Sequence, residues 1–126
     1  MIPAGRSASL SRVVSTEDTA TAVGSGSVEV LATPRLLAWM ERATCEVVEE
    51  MLDASETTVG HRIELEHRRP SPVGMRVDLL ATLEEVDGRR LLFEVVASNE
   101  DGQECGRARI TRVVVARSLF AAPSPG

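Results

Sequence analysis

The chain has 126 residues, and its 14 basic residues, all arginine, stand against 19 acidic residues to give a net charge of −5. This length suits one domain with a modest core, and the negative balance argues against general binding to nucleic acid or to an anionic membrane surface. Because no segment approaches the roughly 18 apolar residues of a membrane span and the N-terminus lacks a secretory h-region, we expect a soluble cytoplasmic protein.

Both ends of the chain are rich in small residues, proline and glycine, so residues 1–10 and 119–126 are expected to be unstructured. Residues 11–118 should form the single domain. Threonines and valines that suit a pleated strand recur over residues 12–23, which predicts a first strand there. That strand should end at the flexible connector GSGS, residues 24–27.

The clearest predicted element is a helix over residues 34–52. Its start is well marked, since Thr33 is a favourable N-cap and Pro34 at N1 loses no hydrogen bond. At about 100° per residue, apolar side chains recur along one broad stripe that should face a sheet. The stripe comprises Leu36, Leu37, Met40, Ala43, Thr44, Val47, Val48 and Met51.

Four further strands are predicted after the helix, and Asp-Gly pairs at residues 87–88 and 101–102 favour tight hairpins between them. A long helix followed by a meander of antiparallel strands predicts an α+β fold, in which the helix packs on a curved antiparallel sheet of about five strands. One helix cannot cover both faces of such a sheet, so the other face should meet solvent or another copy of the chain. The four strands are expected over residues 59–67, 75–86, 89–99 and 104–116.

Two residues of the helix have side chains that can carry chemistry. Glu41 falls at roughly 140° from Leu36, on the margin of the apolar stripe rather than among the charged residues of the solvent face. It either reaches water or pairs with an arginine such as Arg42, or it is a partly buried general base or nucleophile. Thr33 is an ordinary helix cap, but a hydroxyl at a helix N-terminus can also meet a developing negative charge.

The segment RIELEHRRPSPVG, residues 62–74, places His67 on the inward face of its strand, together with Ile63 and Leu65. An inward imidazole is either a hydrogen-bonded core residue or a proton carrier. His61 is expected on the same face, nearer the start of the strand.

Three neighbouring residues could contact a ligand. Gly60 either permits a bend or allows a close approach of the backbone to a ligand. Arg68 and Arg69 either belong to a solvated loop or reach a phosphate-bearing ligand at the same end as His67. The two cysteines lack metal-ligand spacing, so we expect small buried hydrophobes rather than ligands or disulfide partners.

Taken together, the segments LATPRLLAWMERA, VGHRIELEHRRPSPVG and EEVDGRRLLFEVVAS resemble the hot-dog-fold thioesterases related to fluoroacetyl-CoA thioesterase. The resemblance extends from about Val28 to Val115. It implies an active site formed by Thr33, Glu41 and His67. It also implies that the main chain of Gly60 lies against the thioester.

One departure from the family concerns substrate selectivity. Where the fluoroacetyl enzyme has aromatic lid residues, this chain has only AVGSGSVEV, and its three aromatic residues are Trp39, Phe93 and Phe120. This difference argues against carrying selectivity for fluoroacetate over to this chain.

The predicted function is hydrolysis of a small acyl-CoA, or a related acyl thioester, to the free acid and thiol. Glu41 is the expected base or nucleophile, His67 the proton carrier, Thr33 a hydroxyl that positions substrate or assists attack, and Gly60 an oxyanion donor. No metal or cofactor is expected. The alternatives are a non-catalytic module that binds acyl-CoA and a hydratase or dehydratase on the same fold. A homodimer or larger homo-oligomer is expected, because the sheet offers more apolar positions than one helix covers.

Overall fold

Five strands with alternating buried and exposed residues build one antiparallel sheet. In the computed structural model, which describes residues 2–120, every second residue of the fourth strand from Leu91 to Ala97 is fully buried. This alternation gives the sheet one inward face that packs on a helix. The strands are β1 (Ser7–Val13), β2 (Glu56–His67), β3 (Arg76–Asp87), β4 (Arg90–Asn99) and β5 (Glu104–Ala116).

The strand order is β1-β3-β4-β5-β2, and all neighbours are antiparallel. The predicted α+β architecture is therefore confirmed, as are the two tight hairpins, whose Gly88 and Gly102 have φ of 60° and 86°. The predicted meander is wrong for β2, which pairs with β5 and not with β3. The connection from Arg68 to Met75 contains two prolines and carries the chain across the sheet instead of folding back as a hairpin.

The long helix, α2, runs from Thr33 to Val48, after a single-turn helix, α1, from Ala20 to Val23. The prediction that Thr33 is the N-cap is wrong, because Ala32 is the N-cap and Thr33 is the first helical residue. Proline is tolerated at the second position as well, since that N–H has no intrahelical partner. The helix also ends four residues before the predicted limit of 52, and Glu49–Met51 form a 3₁₀ turn.

The start of the chain differs from the prediction. Ser7–Val13 form the edge strand β1, so the predicted boundary at residue 11 falls inside a strand and residues 7–10 are ordered. The strand predicted over 12–23 is wrong beyond Val13. There, the Thr19 side chain accepts a hydrogen bond from the Ala22 N–H and begins α1, a capping role that competes with the pleated conformation. Residues 121–126 of the predicted flexible tail lie outside the described part of the chain.

The core lies between the apolar stripe of α2 and the inward face of the sheet. At its centre Gly106 of β5 allows the helix to approach closely, since a Cβ at this position would lie 2.9 Å from Leu36 Cδ2. No helix within residues 2–120 combines the length and the apolar character needed to cross a membrane. The buried residues of the helix are Leu36, Met40, Ala43, Thr44, Val47 and Val48.

Candidate active site

The helix α2 and the strand β2 lie side by side and run in opposite directions. Thr33 at the start of α2 contacts His67 at the end of β2, whereas Glu41 contacts Gly60 earlier in the strand. Eight residues of helix separate Thr33 from Glu41, or about 12 Å along the axis. The predicted site residues therefore form two separate pairs along one seam.

The first pair is a hydroxyl–imidazole hydrogen bond. Thr33 Oγ1 lies 2.7 Å from His67 Nδ1. If the hydroxyl donates, the ring proton is on Nε2. Nε2 is buried and has no hydrogen-bond partner among the described residues. Because buried polar atoms are nearly always hydrogen bonded in folded proteins, this nitrogen indicates a place for a ligand atom or water.

Burial changes the protonation of His67. Desolvation lowers the pKa of the imidazole below its ordinary value of 6.5, and a backbone hydrogen bond with Arg69 opposes this shift only in part. The low-dielectric surroundings penalise the charged ring, so the neutral form predominates at pH 7. A neutral imidazole can accept a proton during a reaction.

The second pair joins the Glu41 carboxylate to the backbone of β2. A Cβ at Gly60 would lie only 2.8 Å from Glu41 Oε2, so any larger residue would force the carboxylate away from the strand. The same oxygen accepts a hydrogen bond from Arg112 Nη1 at 3.1 Å. Glu41 thus pairs with Arg112, whereas Arg42 pairs with other carboxylates of the helix.

Arg112 was not anticipated from the sequence. It lies on the inward face of β5 between Ile110 and Val114 and is only 7% exposed. Its Nε donates to Thr58 Oγ1 at 2.9 Å and its Nη2 to the Thr58 carbonyl at 3.0 Å. The sequence ITRVVVA does indicate an inward arginine, because alternate residues of a strand share one face and Arg112 falls on the face of Ile110 and Val114.

A β-bulge brings Gly60 and His67 onto the same face. Seven residues separate them, an odd number that would place them on opposite faces of a regular strand. The register against β5 shifts between Gly60, which pairs with Arg112, and Arg62, which pairs with Thr111. His61 is the extra, exposed residue, so the prediction that it faces inward is wrong.

The two arginines after His67 differ in their contacts. Arg68 forms ion pairs with Glu66 and Glu104, which compete with any ligand phosphate for its guanidinium. Arg69 is exposed at the same end of β2. Of the two predicted phosphate contacts, Arg69 is therefore the better placed.

A buried polar pair anchors the loop that follows His67. Ser71 is fully buried and donates a hydrogen bond to Asn99 Oδ1 at 2.5 Å, while Asn99 Nδ2 donates to the Pro70 carbonyl at 3.2 Å. These bonds tie the loop to β4 and so hold the end of β2. Within residues 2–120, no group of three His, Cys, Asp or Glu side chains is arranged to share a metal ion.

One long helix on a curved five-stranded antiparallel sheet, with a Thr–His pair and a carboxylate along the helix–strand seam, places this chain in the hot-dog class of proteins. Residues 14–118 match the family model described as fluoroacetyl-CoA-specific thioesterase. The chain belongs to this family.

Individual relatives agree with this placement. The chain is 34% identical over 93 residues to a fluoroacetyl-CoA thioesterase of Streptantibioticus cattleyicolor, an alignment that covers 73% of this chain and 66% of that protein. Its fold is similar to a thioesterase superfamily member of Thermus thermophilus, with a TM-score of 0.88, 29% identity, and coverage of 95% and 88% of the two chains. A solved fluoroacetyl-CoA thioesterase gives a TM-score of 0.89, 26% identity, and coverage of 95% and 93%.

Proposed function

We propose that this protein hydrolyses a small acyl-CoA thioester to the free acid and the thiol. The observation that carries the proposal is the Thr33–His67 hydrogen bond, which leaves a buried imidazole nitrogen without a partner among the described residues, on the same helix–strand seam as the Glu41 carboxylate. Membership of a thioesterase family supports this reaction. Domain extent and the cytoplasmic location stay predictions.

Hydrolysis adds water across the acyl C–S bond, and the chain offers a group for each requirement. Glu41 acts as the base that removes a proton from water, or as a nucleophile whose acyl adduct is then hydrolysed. The neutral imidazole of His67, bonded to Thr33, accepts the proton lost by the hydrolytic water and gives it to the departing thiolate. The Gly60 main chain lies beside the carbonyl and supports the oxyanion.

The acyl group is proposed to be small and not restricted to fluoroacetyl. The segment AVGSGSVEV, residues 22–30, stands where the fluoroacetyl enzyme has aromatic lid residues. It contains no aromatic side chain, and its residues 22–29 are exposed. Arg69 is the proposed contact for a phosphate of CoA, because it lies next to His67 and carries a permanent charge.

The direct test is release of free thiol from a panel of short, branched and aromatic acyl-CoAs. Thiol release supports hydrolysis. Loss of the conjugated absorbance of an enoyl-CoA without thiol release would instead indicate a hydratase, and binding without either reaction would indicate a non-catalytic acyl-CoA module.

Replacing Glu41 by Gln should remove most of the turnover while the fold is kept, because the change preserves size and removes the charge. The expected loss in kcat is about 100-fold or more, the range of a general base. Glu46→Gln is the matched control, since Glu46 lies on the same helix and its only ion pair within the described part of the chain is with Arg42. If Glu41→Gln retains activity within about threefold of wild type, less than 1 kcal/mol of barrier, Glu41 has no catalytic role.

We further propose that the active form is a homodimer. The strand β2 is 12 residues long and, among residues 2–120, pairs on one side only, with β5. Its other edge exposes unpaired backbone groups next to the seam that holds the candidate site. A two-fold axis that pairs β2 with its copy would satisfy those groups and extend the sheet across both chains.

A further inference from the structure

We propose that Arg112 is a positioning residue that fixes the carboxylate of Glu41 against the Gly60 backbone. This inference rests on the proposed function, because Arg112 would act by positioning Glu41, the proposed base or nucleophile. The guanidinium bonds Oε2 of Glu41, which leaves Oε1 as the oxygen available to water or to the thioester.

Arg112 is itself held firmly. Two of its hydrogen bonds go to Thr58, one to the hydroxyl and one to the carbonyl, and both acceptors are buried with the guanidinium. Thr58 precedes Gly60 by two residues in β2 and pairs with Val114 across the sheet. The strand β2 therefore supplies the Gly60 backbone and also holds Arg112, which in turn bonds Glu41.

The burial of this arginine distinguishes it from the other ion-paired arginines of the described chain. The Arg112 side chain is 8% exposed, whereas the others in the ion pairs are at least 41% exposed. A buried ion pair seldom stabilises a fold more than apolar side chains of the same volume would. Stability alone does not account for an arginine at an inward position between Ile110 and Val114.

The contact with Gly60 explains why the Glu41 carboxylate needs a hydrogen-bond donor that fixes its position. A glutamate side chain at the edge of a helix samples several rotamers, and only some bring Oε2 to the backbone of β2. The hydrogen bonds that Arg112 makes with Thr58 and with Glu41 stabilise one of these rotamers. A displaced catalytic group can lose about 100-fold in rate for a shift of about 1 Å.

A double-mutant cycle tests this role, with wild type, Arg112→Gln, Glu41→Gln and the double variant measured on the best acyl-CoA of the panel. Arg112→Gln should lower kcat by about 10- to 100-fold and change KM by less than about threefold. The double variant should be no slower than Glu41→Gln alone, within about threefold, because a residue that acts through Glu41 has no effect in its absence.

Arg107→Gln is the matched control. Arg107 lies on the same strand, but its ion pairs with Glu94 and Glu104 are on the other face of the sheet. This variant should leave kcat unchanged. Thr58→Val keeps the arginine, removes its Nε acceptor and should lower kcat by a smaller factor. If Arg112→Gln fails to fold, the kcat of Thr58→Val tests whether Arg112 positions Glu41.

Wild-type kcat in Arg112→Gln, or in Thr58→Val if the first variant is unfolded, would overturn the proposal. So would a double variant whose losses multiply, since Arg112 would then act independently of Glu41. Failure of the proposed function gives a result that is distinct from failure of the Arg112 proposal. In that case wild type itself would release no thiol, or Glu41→Gln would be fully active.

Discussion

At the scale of single residues, one nitrogen of the His67 imidazole is hydrogen bonded and the other has no hydrogen-bond partner among the described residues. Thr33 bonds Nδ1, and Nε2 is buried without a partner among the described residues. A ring that is held by one bond and open at the other atom is oriented for proton transfer. The depressed pKa keeps the ring neutral at pH 7, so it can accept a proton there.

Acidification should therefore abolish activity before it unfolds the protein. The pH profile of kcat/KM should show an acid limb whose apparent pKa lies below 6.5, because burial lowers the pKa of His67. A rate that is flat from about pH 5 to 8 would contradict a titrating histidine.

The only other histidine of the sequence provides the control for this profile. His61 is exposed in the bulge, so His61→Asn should keep the acid limb. The sign of the linked stability effect is also defined. Since the folded pKa of His67 lies below the unfolded one, its contribution to stability is present above pH 6.5 and is lost as the pH falls through the folded pKa. The variant His67→Asn should lack this component of acid destabilisation.

The sequence predicted some of these residue contacts and missed others for a physical reason. His67 was expected to meet both Thr33 and Glu41. It bonds Thr33, whereas the Glu41 carboxylate lies against Gly60, farther along the seam. Their catalytic roles stay predictions. The partner of Glu41 was sought among its helical neighbours, but it comes from a strand 71 residues later, a pairing that depends on the tertiary fold.

At the scale of elements, the position of α2 over the sheet decides whether Thr33 reaches His67. The contact is close because Gly106, the cross-strand partner of His67, has no side chain under the helix. Leu36 and Met40 occupy the space that a side chain there would need. The start of the helix and the end of β2 are thereby held at hydrogen-bonding distance.

Replacing Gly106 by Ala should weaken both the fold and the site. The new Cβ would lie 2.9 Å from Leu36 Cδ2 and 3.3 Å from the Glu66 carbonyl oxygen, and the fully buried Leu36 and Met40 side chains would have to repack to make room for it. We expect a loss of about 1–3 kcal/mol in the free energy of unfolding, measured with urea, typical of overpacking. The kcat should fall as well, since Leu36 lies one helical turn from Thr33 and its repacking disturbs the start of the helix. Unchanged stability and kcat would show that the seam tolerates a wider spacing.

Gly26→Ala is the control for the unfolding measurement. Its added Cβ would meet Ala20 Cβ at 3.4 Å, an ordinary contact, and its φ is not in the left-handed region. This variant should unfold at the same urea concentration as wild type.

Element prediction succeeded where patterns are local. The helix and the last four strands were located within a few residues, because their periodicity and Asp-Gly turns lie in the segments themselves. The edge strand β1 was missed, since SASLSRV is short and half serine or arginine. The pairing of β2 with β5 and the bulge at His61 were missed as well, because both are set by contacts between distant segments.

At the scale of the whole molecule, the sheet leaves surface that one chain does not cover. The outward face exposes 47% of Leu80 and 60% of Val13, and the edge of β2 has no neighbour within the described chain. Unpaired strand edges and exposed apolar side chains favour association with a second copy. Both features therefore favour a symmetric assembly of at least two chains.

Light scattering at micromolar concentration should accordingly report a mass of about 27 kDa, twice the 13.6 kDa of one chain. Specific activity should be constant in this range and should fall when dilution dissociates the dimer, because Gly60 and His67 both lie on the strand proposed to form the interface. A larger multiple of 13.6 kDa would mean that the outward face is covered too. A monomeric mass with undiminished activity would contradict the proposal, since the seam of α2 and β2 would then be sufficient within one chain.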